Sequence, residues 1–183
     1  EVESPEMEGE CELLLGEVEL ESGSLQAASA HFARSLAVCR QGADKRGEAN
    51  ALWRLGAVDL ANGDFASARS RLCDALRAFH GAEMWKELLG CLEEFAGLAL
   101  FAGRPAEGVR IAAAATLARQ RLGLMRRRGA EARWQARLDA LREPLGKEGF
   151  VVAWNEAWDR WETDDAIRSA LALPEALDAV PAR

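Results

Sequence analysis

Tyrosine is absent from these 183 residues, histidine occurs twice and proline only five times. With helix breakers this scarce and alanine, leucine, arginine and glutamate abundant, the composition points to an all-α chain. No apolar run approaches the length needed to cross a bilayer, and no basic, apolar, small-residue sequence opens the chain as a secretory leader would. A soluble cytoplasmic protein is therefore expected. The four cysteines, Cys11, Cys39, Cys73 and Cys91, show no C-x-x-C spacing. They read as small core residues in a reducing compartment, with no zinc site or disulfide. His31 and His80 lack a cysteine or carboxylate at ligand spacing and are expected on the surface or in a groove. Also missing are a phosphate loop, a G-x-S-x-G elbow, an H-E-x-x-H helix and a calcium loop. Leu145-Gly146-Lys147-Glu148 has Gly-Lys without the upstream glycine or the magnesium-holding hydroxyl. Neither catalysis nor a cofactor is expected.

What the chain does have is a period. Between Ala51 and Phe79, apolar residues three, four and seven apart mark two amphipathic helices, interrupted at Gly63-Asp64. Gly63 suits the left-handed residue after a helix and Asp64 the N-cap of the next, so the two helices form an antiparallel hairpin. Gly23, Gly63 and Gly103 lie 40 residues apart, and Leu20, Leu60 and Leu100 follow the same offset. Small residues keep that register: Gly16, Gly56 and Ala96; Ala28, Ala68 and Gly108; Ser35, Ala75 and Ala115. Small side chains let helix backbones approach, so the register marks helix crossings, and a period in this range is the signature of stacked helix pairs.

The Leu55-Gly56 pair, Gly63-Asp64-Phe65, Ala68 and Ala75-Leu76 resemble the tetratricopeptide repeat (TPR). The resemblance covers about residues 9–123 in three copies, about 9–40, 49–80 and 84–123. It implies a right-handed TPR-like superhelix of three antiparallel helix pairs. A flexible acidic lead at 1–8, a basic connection at 124–130, C-terminal capping helices over 131–173 and a tail at 174–183 complete the expected organisation. Within the capping region, Trp134, Leu138, Leu141 and Leu145 mark one helix. Pro144 should end it, and Phe150, Trp154, Trp158 and Trp161 lie on one face of the next. Thr163 is the expected N-cap of a last short helix.

Residues Gly103 to Glu107, Arg121 to Gly123, Leu145 to Phe150 with Trp154, and Asp164-Asp165-Ala166 look like the end of the helical-repeat region of LuxR-type or MalT-like ATP-dependent transcriptional regulators. That likeness implies an interaction or sensor module excised from a larger bacterial regulator, meeting a protein, a peptide or other domains of the same regulator. A free-standing adaptor or a self-associating scaffold is the alternative.

Such repeats present their first helices to a groove. Projecting the offsets places there Glu10, Leu13, Glu17 and Glu21, then Asn50, Trp53, Arg54 and Ala57, then Glu93, Glu94 and Gly97. An acidic groove disfavours a carboxylate-ended ligand and suits a basic or mixed segment anchored on Trp53. A second interface is expected at Trp158 and Trp161 with Arg126, Arg127 and Arg128.

The net charge of −7 is uneven: residues 1–24 hold nine glutamates and no basic residue, whereas 104–143 hold ten arginines against four acids. Ordinary solvated helix faces account for both, and a head-to-tail contact between copies is the sharper alternative. Nucleic-acid contact through Arg119, Arg121 and Arg126 to Arg128 is disfavoured, because no aromatics interleave with the basic residues and the whole chain is acidic.

Overall fold

A computed structural model describes residues 5–126 and 128–174, and these are all-α, without a strand. Six helices of near-equal length come first: α1 (Pro5–Glu21), α2 (Leu25–Gln41), α3 (Lys45–Asn62), α4 (Phe65–Gly81), α5 (Trp85–Phe101) and α6 (Pro105–Arg121). First helices start at residues 5, 45 and 85 and second helices at 25, 65 and 105, so each step is forty residues. Then come α7 (Arg128–Arg160) and α8 (Thr163–Leu171). The chain divides into two compact units, residues 1–87 and 88–183. Of the expected acidic lead, residues 1–4 lie outside the described part, and Pro5 to Glu8 already belong to α1. Residues 175–183 of the expected tail also lie outside it.

In the first unit the turn chemistry is local and legible. Gly63 sits at φ +79°, its N–H donates to the Leu60 carbonyl, and the Asp64 N–H reaches the Asp59 carbonyl at 2.9 Å. The Asp64 carboxylate then accepts from the Ser67 N–H at 3.1 Å, capping α4. Asp44 does the same for α3, accepting from the N–H groups of Arg46 and Gly47. At the alternate turns the left-handed residue is not a glycine: it is Ala43 and Glu83, both at φ +54°, one residue after Gly42 and two after Gly81. Among the described residues nothing beyond its chain neighbours lies within 4 Å of a Cβ added to Gly63. Gly63→Ala therefore clashes with nothing and pays only for the left-handed backbone, about 1–2 kcal/mol, to be read as a lower urea midpoint at unchanged slope.

The small-residue register lies at the crossings. A Cβ on Gly16 would meet the Phe32 ring at 2.4 Å, and one on Gly56 would meet Leu72, forty residues further along, at 2.8 Å. Around them Ala28, Phe32, Leu55 and Val58 are buried together, with Leu13, Leu20, Leu25 and Leu36 packed against them. Ser35 fills its small position by donating from Oγ to the Gly9 carbonyl at 2.8 Å.

The second unit keeps the pattern through α6 and then departs from it. Gly108 lies directly against the Ala96 carbonyl. α7 is broken at Gly146 (φ 65°, ψ 176°), two residues after Pro144, so its halves behave as two helices. Leu141 on the first half is buried, and α6 packs against both α7 and α8. α8 begins one residue away from expectation: Glu162 is its N-cap, exchanging backbone and side-chain bonds with Asp165 as a capping box, and Thr163 is the first helical residue.

Candidate partner-binding face and aromatic groove

On the first unit, α1 and α3 present the expected groove residues side by side. Glu10 and Glu21 are exposed; Leu13, Glu17, Asn50, Trp53, Arg54 and Ala57 are half-buried. Glu17 and Arg54 form an ion pair linking the two helices. The Arg54 guanidinium lies 3.9 Å from the centre of the Trp53 ring, a cation–π contact, and Phe79 meets the same indole edge-on at 5.9 Å. Trp53 is thus held by a charge on its face and a ring at its edge. Its Nε1–H is buried and finds no acceptor among the described residues.

In the second unit the expected acidic positions are already engaged. Glu93 is buried, and its Oε1 accepts from Arg119 Nε at 2.5 Å and from Arg126 Nε at 2.9 Å. Arg137 spans the neighbouring turn, donating to the Glu93 carbonyl at 2.6 Å and to Glu94 Oε2 at 2.5 Å. Arg126 also stacks over Trp134, 4.6 Å from the ring centre. Arg126 is therefore an internal residue with a side chain 10% exposed, not part of an open basic surface. Arg127 and the Arg128 side chain lie outside the described part.

The aromatic stripe of α7 is only partly covered. Phe150 is buried and Trp154 and Trp158 are half-buried; Trp161, also half-buried, lies just past the end of α7 and not on its face as expected. Phe150, Trp154 and Trp158 stack in sequence with ring centres 5.7 and 6.0 Å apart, and Arg142 caps Phe150 at 4.6 Å. Beside them lies an open cavity of about 260 Å³, lined by Leu138, Arg142, Phe150, Val151, Trp154 and Asn155. Helical spacing identified the stripe but not the cavity, which needs the break at Gly146 to bring Leu138 and Arg142 against Phe150.

Two further expectations change. Cys11 is exposed, although Cys39, Cys73 and Cys91 are buried. Reading Cys11 as core copied to α1 the burial of Cys91, its equivalent on α5. His31 does have a carboxylate partner, Glu12 Oε2 at 2.7 Å, with Arg34 joining the same pair. Among the described residues no three His, Cys, Asp or Glu side chains gather as metal ligands would, and no helix is long and apolar enough to cross a membrane.

Electrostatics across the α2–α3 junction give a pH dependence. Hydrogen bonds from Arg40 (2.9 Å) and Lys45 (3.0 Å) hold the Glu48 carboxyl below its ordinary 4.5. A folded value below the unfolded one means stability present above about pH 4.5 and lost as pH falls through the folded value. Asp59 works the other way: burial raises its carboxyl against the pull of Arg71, so protonation in acid relieves the fold there. Glu48→Gln is expected to flatten the acid limb of stability against pH, measured by urea unfolding between about pH 3 and 6.

Residues 10–79 match the tetratricopeptide repeat family model. The match covers the first two helix pairs apart from the opening turn of α1 and the last residues of α4. Proteins named as candidate HTH-type transcriptional regulators, from Mycobacterium bovis (strain ATCC BAA-935 / AF2122/97) and Mycobacterium tuberculosis (strains CDC 1551 / Oshkosh and ATCC 25618 / H37Rv), are each 35% identical over 113 residues. The aligned part is 62% of this chain, and the chain spans 13% of the length of those relatives. No solved structure matches.

Proposed function

We propose that this chain is a protein-interaction or sensor module of a bacterial transcriptional or signalling regulator, of the LuxR-type or MalT-like kind. It holds a partner peptide or domain on the α1–α3 face of its TPR pairs. The observation that carries this reading is Trp53: a half-buried aromatic held by Arg54 and Phe79, beside the Glu17–Arg54 pair that joins α1 to α3. Exposed Glu10 and Glu21 on the same face favour a basic or mixed segment. Glu93 and Glu94 are not offered to it, since three arginines of their own unit already hold them. The same ion pairs weigh against nucleic-acid binding, because Arg119 and Arg126 are spent internally. The HTH-regulator names of the relatives support the regulatory context.

A photo-crosslinking residue at Asn50 or Ala57, introduced into the intact protein in its own cells, tests the reading. A trapped protein partner whose yield drops sharply with Trp53→Ala or Glu21→Lys is the expected result. A yield indifferent to both substitutions removes this face from consideration. A second reading is favoured by the cavity at Phe150, Val151 and Trp154, with half-buried Trp158 and Trp161 extending the aromatic face. Crosslinks gathered at Val151 and Asn155 instead would place the partner there.

A further inference from the structure

α1 turns an apolar stripe to solvent. Met7 is 62% exposed, Leu14 49%, Leu15 50% and Val18 63%, with exposed Cys11 among them. Residues 7, 11, 14, 15 and 18 follow helical spacing and lie on the side opposite the α1–α2 core. An unpartnered row of this kind on a short helix marks an interaction surface.

The repeat itself says what covers such a row. Forty residues on, the same positions of α3 are Gly47, Ala51, Arg54, Leu55 and Val58. There Ala51 is fully buried, Leu55 is 3% exposed and Val58 1%, because α2 packs on them. Ala28 and Phe32 of α2 cluster with Leu55 and Val58, Cys39 abuts Gly47, and Arg40 pairs with Glu48. Glu48 corresponds in α1 to Glu8, which is exposed. The row on α1 therefore has the register of a covered face and lacks only its cover.

We infer that Met7, Cys11, Leu14, Leu15 and Val18 are the docking face for one amphipathic helix of the α2 type, the second helix of a further helix pair. That helix carries an Ala/Phe stripe, a residue smaller than cysteine opposite Met7, and a basic residue near its C-terminal end to meet Glu8. Met7 stands where α3 has glycine, which sets the size requirement. The relatives that this chain matches are much longer than it, so polypeptides of this kind have room for such a pair. The inference concerns the outer side of α1 and stands or falls independently of the Trp53 face.

Cys11 reports on the face directly, because the other three cysteines are buried. The probe is a synthetic peptide with the sequence of residues 25–41 carrying Cys39→Ala, which removes its own thiol and shrinks the residue facing Met7. The readout is the rate at which a disulfide-exchange reagent modifies Cys11 in the 183-residue chain. Saturating peptide is expected to slow that rate about tenfold or more, and Val18→Asp, on an exposed position, to weaken the peptide by about tenfold, the loss of one buried side chain. Glu8→Gln is expected to weaken it less and to reduce its salt dependence. Circular dichroism confirms that both variants remain folded. The inference is overturned if millimolar peptide leaves the rate unchanged, or if protection survives Val18→Asp. It is also overturned if Cys11 is already protected without peptide in proportion to protein concentration, which would make the occupant a second copy.

Discussion

Replacing Glu93 by alanine is expected to cost the second unit about 3–5 kcal/mol, more than any other single charge removal in this chain. Glu93 is buried, and so are the groups it neutralises: the Arg119 side chain is 9% exposed and that of Arg126 10%. Removing the carboxylate leaves two guanidinium groups in a poorly solvated site. Arg126 retains Glu131 at 3.4 Å, a longer and more exposed contact. Glu93→Gln keeps the shape and one acceptor oxygen, so its loss should be smaller. Adding Arg119→Met to Glu93→Ala should restore part of the stability, because a buried pair often costs more to desolvate than it returns. Urea unfolding of the four proteins provides the check. A loss for Glu93→Ala under 1 kcal/mol, or one removed entirely by high salt, would show that the site is open to solvent.

That network also marks the limit of what could be read from the chain. The forty-residue step and the turn at Gly63-Asp64 were legible because their causes are local, a left-handed Gly63, an Asp64 cap and small residues at a fixed offset, whereas α1 and α3 begin four residues before the expected starts near 9 and 49. The Glu93 site was not legible, because its partners come 26 and 33 residues later and Arg137 comes 44 residues later. Run-level charge counting placed Arg126 in a basic surface; only packing against Trp134 takes it inside. The offset placed Trp53 on a first helix, but its bracing by Arg54 and Phe79 was not legible. Cys11 shows the converse error. Copying burial from one repeat to the next presumes a neighbouring helix at every position, and α1 has none on its outer side among the described residues.

The swap of small residues in the third pair leads to the second large effect. In the first two pairs the glycine is on the first helix, Gly16 and Gly56, opposite Ala28 and Ala68; in the third the first helix has Ala96 and the second has Gly108. The close approach is conserved by the fold while the residue that permits it changes helix. A Cβ on Gly108 would lie 2.7 Å from the Ala96 carbonyl oxygen, 2.7 Å from Leu141 Cδ2 and 3.2 Å from Ala99 Cβ. The Leu141 methyl can rotate away, but the carbonyl belongs to α5 and moves only with that helix. Gly108→Ala is therefore expected to destabilise by about 1–3 kcal/mol despite the better helix propensity of alanine, which returns at most about 1 kcal/mol. Ala96→Gly should not rescue it, since the obstruction is backbone. At Gly16 the obstruction is the Phe32 ring, so there a smaller partner such as Phe32→Leu should rescue alanine. Gly149 is the control: among the described residues an added Cβ there would meet only Leu145 side-chain atoms, at 3.4 and 4.0 Å, so Gly149→Ala should be neutral or stabilising by up to about 1 kcal/mol. Equal unfolding midpoints for Gly108→Ala and Gly149→Ala would mean that α5 and α6 do not cross at backbone contact.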